Sequence, residues 1–114
     1  MEVIRENELT KVSRMDEVGA GGAHHRYCVT SPDCKSLFVA ADFQHGGADE
    51  VMLAGAHNED LLAIVIDRLE CFQAGPFPCA ENHMALACLG EALNCLEART
   101  EGRKERGVEG KSEA

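Results

Sequence analysis

Two runs of strand-forming residues predict two short strands in the first half of the chain. Residues 27–30 and 37–43 are rich in β-branched and aromatic residues, and Ser31-Pro32-Asp33 between them is typical of a turn. We therefore expect an antiparallel pair, with residues 51–53 as either a third short strand or a docking segment. Because two or three strands alone are only marginally stable, they should pack on helices or on another subunit.

A first helix is predicted from the apolar periodicity that follows. Its stripe recurs every three or four residues and consists of Leu61, Val65, Leu69 and Phe72. Asn58 is a good N-cap, and acidic residues follow it where the helix dipole favours them. Gly75-Pro76 is expected to end this helix.

A second, longer helix is predicted to start near Ala80 or Glu81. Its apolar seam has the three-four-three spacing of a helix-packing face and consists of Leu86, Leu89, Leu93 and Leu96. Gly102 is the predicted break, although the periodicity continues to Arg106. A short loop joins the two helices, so they should form an αα-hairpin.

These elements together predict an α+β fold, in which a small N-terminal antiparallel β-sheet precedes a C-terminal αα-hairpin. Residues 1–23, charged and then glycine-rich, are predicted to be a flexible segment. Residues 24–110 should form one domain, with a β region at 24–56 and a helical hairpin at 57–106, and residues 107–114 a C-terminal tail. A chain of 114 residues buries little core by itself, so we expect a homo-oligomer.

The charge distribution favours a small anionic ligand over nucleic acid. The chain has a formal net charge of -9, and a phosphate backbone requires a basic surface. Residues 99–106 depart from this balance, since four Lys or Arg residues stand there against two Glu residues. We therefore expect no DNA or RNA partner and a local site for a small anion.

The six cysteines do not indicate a secreted disulfide protein. Residues 1–14 are charged throughout and resemble no signal peptide, and no stretch approaches the roughly 20 apolar residues of a membrane span. The sequence therefore predicts a cytoplasmic protein with reduced thiols and no membrane association.

Neither a metal site nor a catalytic motif is indicated. His24, His25, Cys28 and Cys34 could be interpreted as zinc ligands, but their spacing contains no Cys-x-x-Cys pair. The chain has no nucleophile elbow and no His-Glu-x-x-His motif. We therefore expect no metal, no cofactor and no enzymatic activity.

Three arginines near the end of the second helix are candidates for binding phosphate. Spacings of four and seven place Arg99, Arg103 and Arg106 on one side of a continuing helix, where their guanidinium groups could bind phosphate oxygens in pairs. The alternative is a solvated helix end whose basic residues complement the helix dipole. The leucine seam, when extended, runs from Asn82 to Arg103, and polar ends are unusual for a packing face because buried polar groups need partners. Either these polar ends belong to a binding site, or both ends simply reach solvent.

The separation of the candidate residues constrains the site. Asn82 and Arg99 are 17 residues apart, which is about 25 Å along one helix. Phe72 lies near the hairpin turn, at the Asn82 end, where it could stack on a base or pack in the core. A small nucleotide cannot touch both ends within one chain. If both ends form one site, it must lie across a two-fold interface.

Two motifs support a resemblance to a known family. They are the Gly-Pro-Phe-x-Cys-x-x-Asn turn at 75–82 and the closing Arg-Thr-x-x-Arg-x-x-Arg-Gly-Val-Glu-Gly run at 99–110. With residues 43–46 and 58–69, they resemble the phage anti-Thoeris signal sponges, the first family of Thoeris anti-defence proteins. The hairpin is also similar to that of the anti-CBASS sponges of cyclic dinucleotides.

The resemblance implies a protein of the infected host cytoplasm that captures glycocyclic ADP-ribose from TIR-domain enzymes and holds it uncleaved. By motif position, the ligand-binding residues would be Phe72, Asn82, Arg99 and Arg103. The family also implies a homodimer or a higher homo-oligomer such as a hexamer, with a separate site for cyclic di- or trinucleotides in some members. The alternatives are an anti-CBASS cyclic-oligonucleotide sponge and a protein-interaction module with a helical hairpin.

Overall fold

A computed structural model describes residues 1–45 and 54–107 of the chain. These residues fall into two compact units that divide between Ala56 and His57. The first unit is an antiparallel sheet and the second is a pair of helices, which confirms the predicted α+β class. The strand or docking segment predicted at residues 51–53 lies outside the described residues, and so does the predicted tail beyond Gly107.

Four antiparallel strands form the sheet in the order β1-β2-β3-β4. Each strand pairs with the next along the chain, and the four are β1 (Glu2–Glu6), β2 (Lys11–Arg14), β3 (Arg26–Thr30) and β4 (Leu37–Asp42). The most buried side chains of the unit come from β2, from β3 and from the residue before β3, and they are small or polar: Ser13, His25, Cys28 and Thr30. The sheet therefore has a small core in this chain alone.

The predicted strand pair corresponds to β3 and β4. In their register Cys28 lies opposite Ala40 and Val29 opposite Val39. The turn between them is closed by Asp33, whose carboxylate accepts hydrogen bonds from the Ser31 hydroxyl at 2.6 Å and the Lys35 N–H at 3.0 Å. The predicted turn at 31–33 is thus confirmed, with an aspartate that bonds to the backbone two residues on.

The prediction of a flexible segment at residues 1–23 is wrong for residues 2–14, which form β1 and β2. The charges that suggested mobility pair with one another across these strands: Arg14 binds Glu2, and Lys11 lies 3.8 Å from Glu6. Asn7 closes the turn between the strands, because its side-chain oxygen accepts from backbone N–H groups of the next residues. The prediction was wrong because these strands are stabilised by pairs of charges across the two strands, and such pairs leave no periodic pattern along the sequence.

The chain after β2 is held to the sheet by Asp16. Its carboxylate accepts hydrogen bonds from the His25 N–H at 2.9 Å and the Arg26 N–H at 3.2 Å. Burial alone would raise the pKa of Asp16, but these two hydrogen bonds and the nearby His24 and His25 rings outweigh it and hold the pKa below its usual value. The glycine-rich stretch predicted to be mobile includes a short 3-10 turn, Ala20–Gly22, whose Ala20 carbonyl lies 3.0 Å from His25 Nε2.

Two helices form the second unit, α1 (Asn58–Ala74) and α2 (Ala80–Glu105), as predicted. The N-cap of α1 is His57, one residue before the predicted Asn58, and the Asp60 carboxylate accepts a hydrogen bond from the His57 N–H. The predicted break at Gly102 is wrong, because α2 continues to Glu105. Interior glycine costs a helix only about 1 kcal/mol, and the Lys104–Glu101 pair supports this last turn.

Much of the apolar surface of the hairpin is accessible. In the part of the chain that the structure describes, no residue of α1 is buried, and Arg103 is the one buried residue of α2. The leucines of the predicted seam are half-buried, while Ile64, Val65 and Met84 are exposed. No described helix is long and apolar enough to span a membrane.

Candidate functional site

The turn between α1 and α2 brings two of the candidate residues to one end of the hairpin. Phe72 lies in the last turn of α1 and Asn82 in the first turn of α2, on either side of residues 75–79. Gln73 fastens this connection with a pair of hydrogen bonds to Cys79: its amide nitrogen donates to the carbonyl at 3.0 Å, and its amide oxygen accepts from the N–H at 2.9 Å. The end of α1 is thereby tied to the N-cap of α2.

Replacing Gln73 should loosen this turn. In Gln73→Ala both hydrogen bonds are lost, and in Gln73→Glu the carboxylate can accept from the Cys79 N–H but cannot donate to the carbonyl. We expect amide hydrogen exchange at Cys79 to become about thirtyfold faster in Gln73→Ala, because two hydrogen bonds of about 1 kcal/mol each are lost, with a smaller change in Gln73→Glu. The control is Glu70→Gln on the same helix. Equal exchange rates at Cys79 in all of these proteins would contradict a stabilising role for the two hydrogen bonds between Gln73 and Cys79.

Phe72 presents part of its ring to solvent and is covered on one face by an arginine. The side chain is 48 % exposed, and the Arg68 guanidinium carbon lies 5.1 Å from the ring centroid, within the range of a cation–π contact. Sequence reasoning missed Arg68, although its position four residues before Phe72 on one helix was a usable signal. Asn82 is half-buried, and its side-chain amide makes no hydrogen bond with any residue that the structure describes.

The other two candidates lie one turn apart near the far end of α2. Arg99 is exposed, whereas Arg103 is 6 % exposed and is engaged in an interaction within the chain. Between them, the Thr100 hydroxyl lies 3.4 Å from the Glu59 carboxylate in the first turn of α1. This end of the hairpin therefore combines the late arginines of α2 with the N-terminus of α1, whose partial positive charge is already complemented by Glu59 and Asp60.

The two pairs of candidates are not brought together within one chain. Asn82 and Arg99 belong to the same uninterrupted helix, α2, so that their separation of 17 positions places the two ends about 25 Å apart. One end offers an aromatic ring and an amide, and the other offers guanidinium groups. A ligand of nucleotide size can use both only if the second end comes from another copy of the chain.

The histidines considered as metal ligands have other contacts. His24 Nδ1 lies 2.7 Å from the Asp16 carbonyl oxygen, and the His25 ring lies beside His45 with the centroids 4.4 Å apart. Over the described ranges, 1–45 and 54–107, no group of three or more His, Cys, Asp or Glu side chains is arranged to hold a metal ion.

Comparison with known proteins gives the family. The model described as "Acb2/Tad1, hairpin domain" matches residues 37–101, which include β4, all of α1 and most of α2. This chain belongs to the Acb2/Tad1 hairpin family. A relative of this chain, "Thoeris anti-defense 1" of Bacillus phage SBSphiJ7, is 42 % identical over 102 residues, which is 90 % of this chain and 70 % of that protein.

The range of the family match covers three of the four candidate residues. The range 37–101 contains Phe72, Asn82 and Arg99, and it ends two residues before Arg103. The resemblance inferred from the turn and arginine motifs is thus confirmed at the level of the Acb2/Tad1 family. The roles of the four individual residues stay predictions.

Proposed function

We propose that this protein is a phage anti-defence sponge. It would bind glycocyclic ADP-ribose, a cyclic ADP-ribose signal made by TIR-domain enzymes, without cleaving it, and so block Thoeris immunity in the cytoplasm of the infected host. The observation that carries the proposal is the 42 % identity, over 90 % of the chain, to a protein named for Thoeris anti-defence. The two hairpin ends offer the chemistry that such a ligand requires.

The ligand combines a pyrophosphate with an adenine base, and the candidate residues suit both parts. Arg99 is exposed and can donate paired, charge-assisted hydrogen bonds to phosphate oxygens. Arg103, one turn away, would add positive charge to the same end. Phe72 exposes a ring on which a base can stack, and the Asn82 amide has both a donor and an acceptor for a base or ribose.

We propose further that each site is built across two chains. One copy would supply Phe72 and Asn82, and its partner would supply Arg99 and Arg103. The helix length separates these pairs within a chain, and the exposed apolar residues of the hairpin give a second copy something to cover. An interface with two-fold symmetry would generate two equivalent sites in a homodimer, from which a higher homo-oligomer such as a hexamer could be assembled.

The sponge is tested by capture followed by release. Incubation with glycocyclic ADP-ribose and removal of the protein by filtration should deplete the free signal, up to one ligand per chain. Heating the complex should then return the ligand with unchanged mass and chromatographic retention, since tight binding alone breaks no bond. Lys35→Ala, which removes an exposed cation from the β3–β4 turn, serves as the control and should capture the ligand equally.

Two results would count against this function. Recovery of a cleaved nucleotide after heating would make the protein a hydrolase. Failure to deplete glycocyclic ADP-ribose, together with depletion of cyclic di- or trinucleotides, would favour an anti-CBASS sponge. That second candidate rests on the matched family model, whose description joins Acb2 with Tad1. Binding of both ligand classes would instead indicate a separate oligonucleotide site.

A further inference from the structure

The contact between Arg68 and Phe72 sets this arginine apart from those of the sheet. Arg14 is paired with Glu2, and Arg26 Nε lies 3.3 Å from the Asp42 carboxylate. Arg68 lies instead over an aromatic ring, 5.1 Å from its centroid. A guanidinium normally pairs with a neighbouring carboxylate where one is within reach.

The positions three and four residues from Arg68 on α1 carry no acid. Helix geometry makes these positions its neighbours, and they hold Ile64, Val65, Cys71 and Phe72. The sequence around Arg68 therefore leaves the Phe72 ring as the best local partner for its charge. The contact between Arg68 and Phe72 lies within α1 and spans one turn of that helix.

We propose that Arg68 is a positioning residue of the nucleotide site, which orients the Phe72 ring and leaves one face of that ring for a single base. This inference rests on the proposed function, in which Phe72 stacks on the adenine. Phe72 as a residue is still 48 % exposed with the guanidinium in contact, so part of its side chain is available to a ligand. A base that stacks there completes a sandwich of guanidinium, phenyl ring and purine.

The electrostatics of such a sandwich favour a purine. A cation over one face of a ring draws the negative charge of the π system toward itself. The opposite face becomes less negative and repels the electron-rich face of adenine less, which strengthens offset stacking. The charge of Arg68 also favours an anionic ligand, but that effect would act without Phe72. Coupling between the two residues is what separates positioning from simple attraction.

A double-mutant cycle measures this coupling with glycocyclic ADP-ribose as the ligand, by calorimetry on the full chain. Arg68→Ala should weaken binding about fivefold to tenfold in the parent protein, and should have almost no effect when Phe72→Ala is already present. Arg68→Lys retains a cation over the ring and should recover part of the affinity. Lys35→Ala removes the same charge from the sheet unit and should bind as the parent protein does.

Equal weakening by Arg68→Ala with and without Phe72 would reduce Arg68 to a general electrostatic contribution and overturn the proposal. Unchanged affinity in Arg68→Ala would overturn it as well. The ring can be followed without ligand: the NMR shifts of the Phe72 ring protons should move in Arg68→Ala and stay in place in Lys35→Ala. If the parent protein binds no glycocyclic ADP-ribose, the proposed function is wrong. In that case the NMR measurement still tests whether Arg68 orients the ring, and Phe72 ring-proton shifts that do not move in Arg68→Ala would overturn it.

Discussion

Two variants that each fail to capture the ligand should regain capture when they are mixed. Phe72→Ala removes the proposed stacking surface, and Arg99→Ala removes the proposed hydrogen-bond donor to phosphate, so each protein should bind glycocyclic ADP-ribose about tenfold to a hundredfold more weakly. In a dimer with cross-chain sites, the intact Phe72 of one chain meets the intact Arg99 of the other. One site of each mixed dimer is then complete, while its second site carries both defects.

The expected recovery is quantitative. Random exchange of equal amounts makes half of the dimers mixed, so roughly a quarter of all sites should bind with the parent affinity. Native mass spectrometry with the ligand, after unfolding and refolding the chains together, measures both the assembly and its occupancy. The result is independent of which isomer of cyclic ADP-ribose binds best, provided that the parent protein binds the one used.

A second mixture controls for simple stabilisation by co-assembly. Phe72→Ala and Asn82→Ala damage the same half of the site, because both residues lie at the turn end of the hairpin. No mixed dimer of these chains contains a complete site, and capture should stay low. Recovery in both mixtures, or in neither, would contradict a site divided between the turn end of one chain and the arginine end of another.

The helices were predicted well because their signal is local. The apolar residues that define α1 recur within one turn of each other, and α2 begins at Ala80 as expected. The four-stranded sheet was predicted only in part. β3 and β4 consist largely of strand-forming residues and are joined by a turn signal. β1 and β2 are instead stabilised by charges that meet only after the strands pair, such as Lys11 with Glu6.

The candidate site shows the same division. Helical spacing placed Phe72, Asn82 and Arg99 on their helices and gave the distance that separates them. It did not distinguish Arg99 from Arg103, one of which is exposed and the other buried, because burial depends on what packs over the helix. The sequence analysis also did not identify Arg68, although its position four residues before Phe72 on one helix predicts the contact between them.

Gly55→Ala should destabilise the sheet unit by about 2–4 kcal/mol, because no side chain fits at this position. A Cβ there would lie 2.5 Å from the Phe43 carbonyl carbon, 2.7 Å from the Asp42 oxygen and 2.8 Å from the Gln44 nitrogen. All three are backbone atoms and cannot rotate away. The segment at Gly55 and Ala56 would have to move away from the end of β4, where Ala56 donates to the Asp42 carbonyl at 2.8 Å and Gln44 donates to the Ala56 carbonyl at 3.1 Å.

Thermal unfolding and amide exchange at Gln44 and Ala56 measure the effect, with Gly102→Ala as the matched control. A Cβ at Gly102 meets nothing within 4 Å, and this glycine lies inside α2, so alanine should stabilise the helix by about 0.5–1 kcal/mol. A Gly55→Ala protein with the parent melting temperature and protected amides would show that the segment can move aside. If Gly55→Ala weakens the sheet but leaves ligand affinity unchanged, binding does not depend on the sheet, which would agree with the location of the four proposed binding residues on α1 and α2.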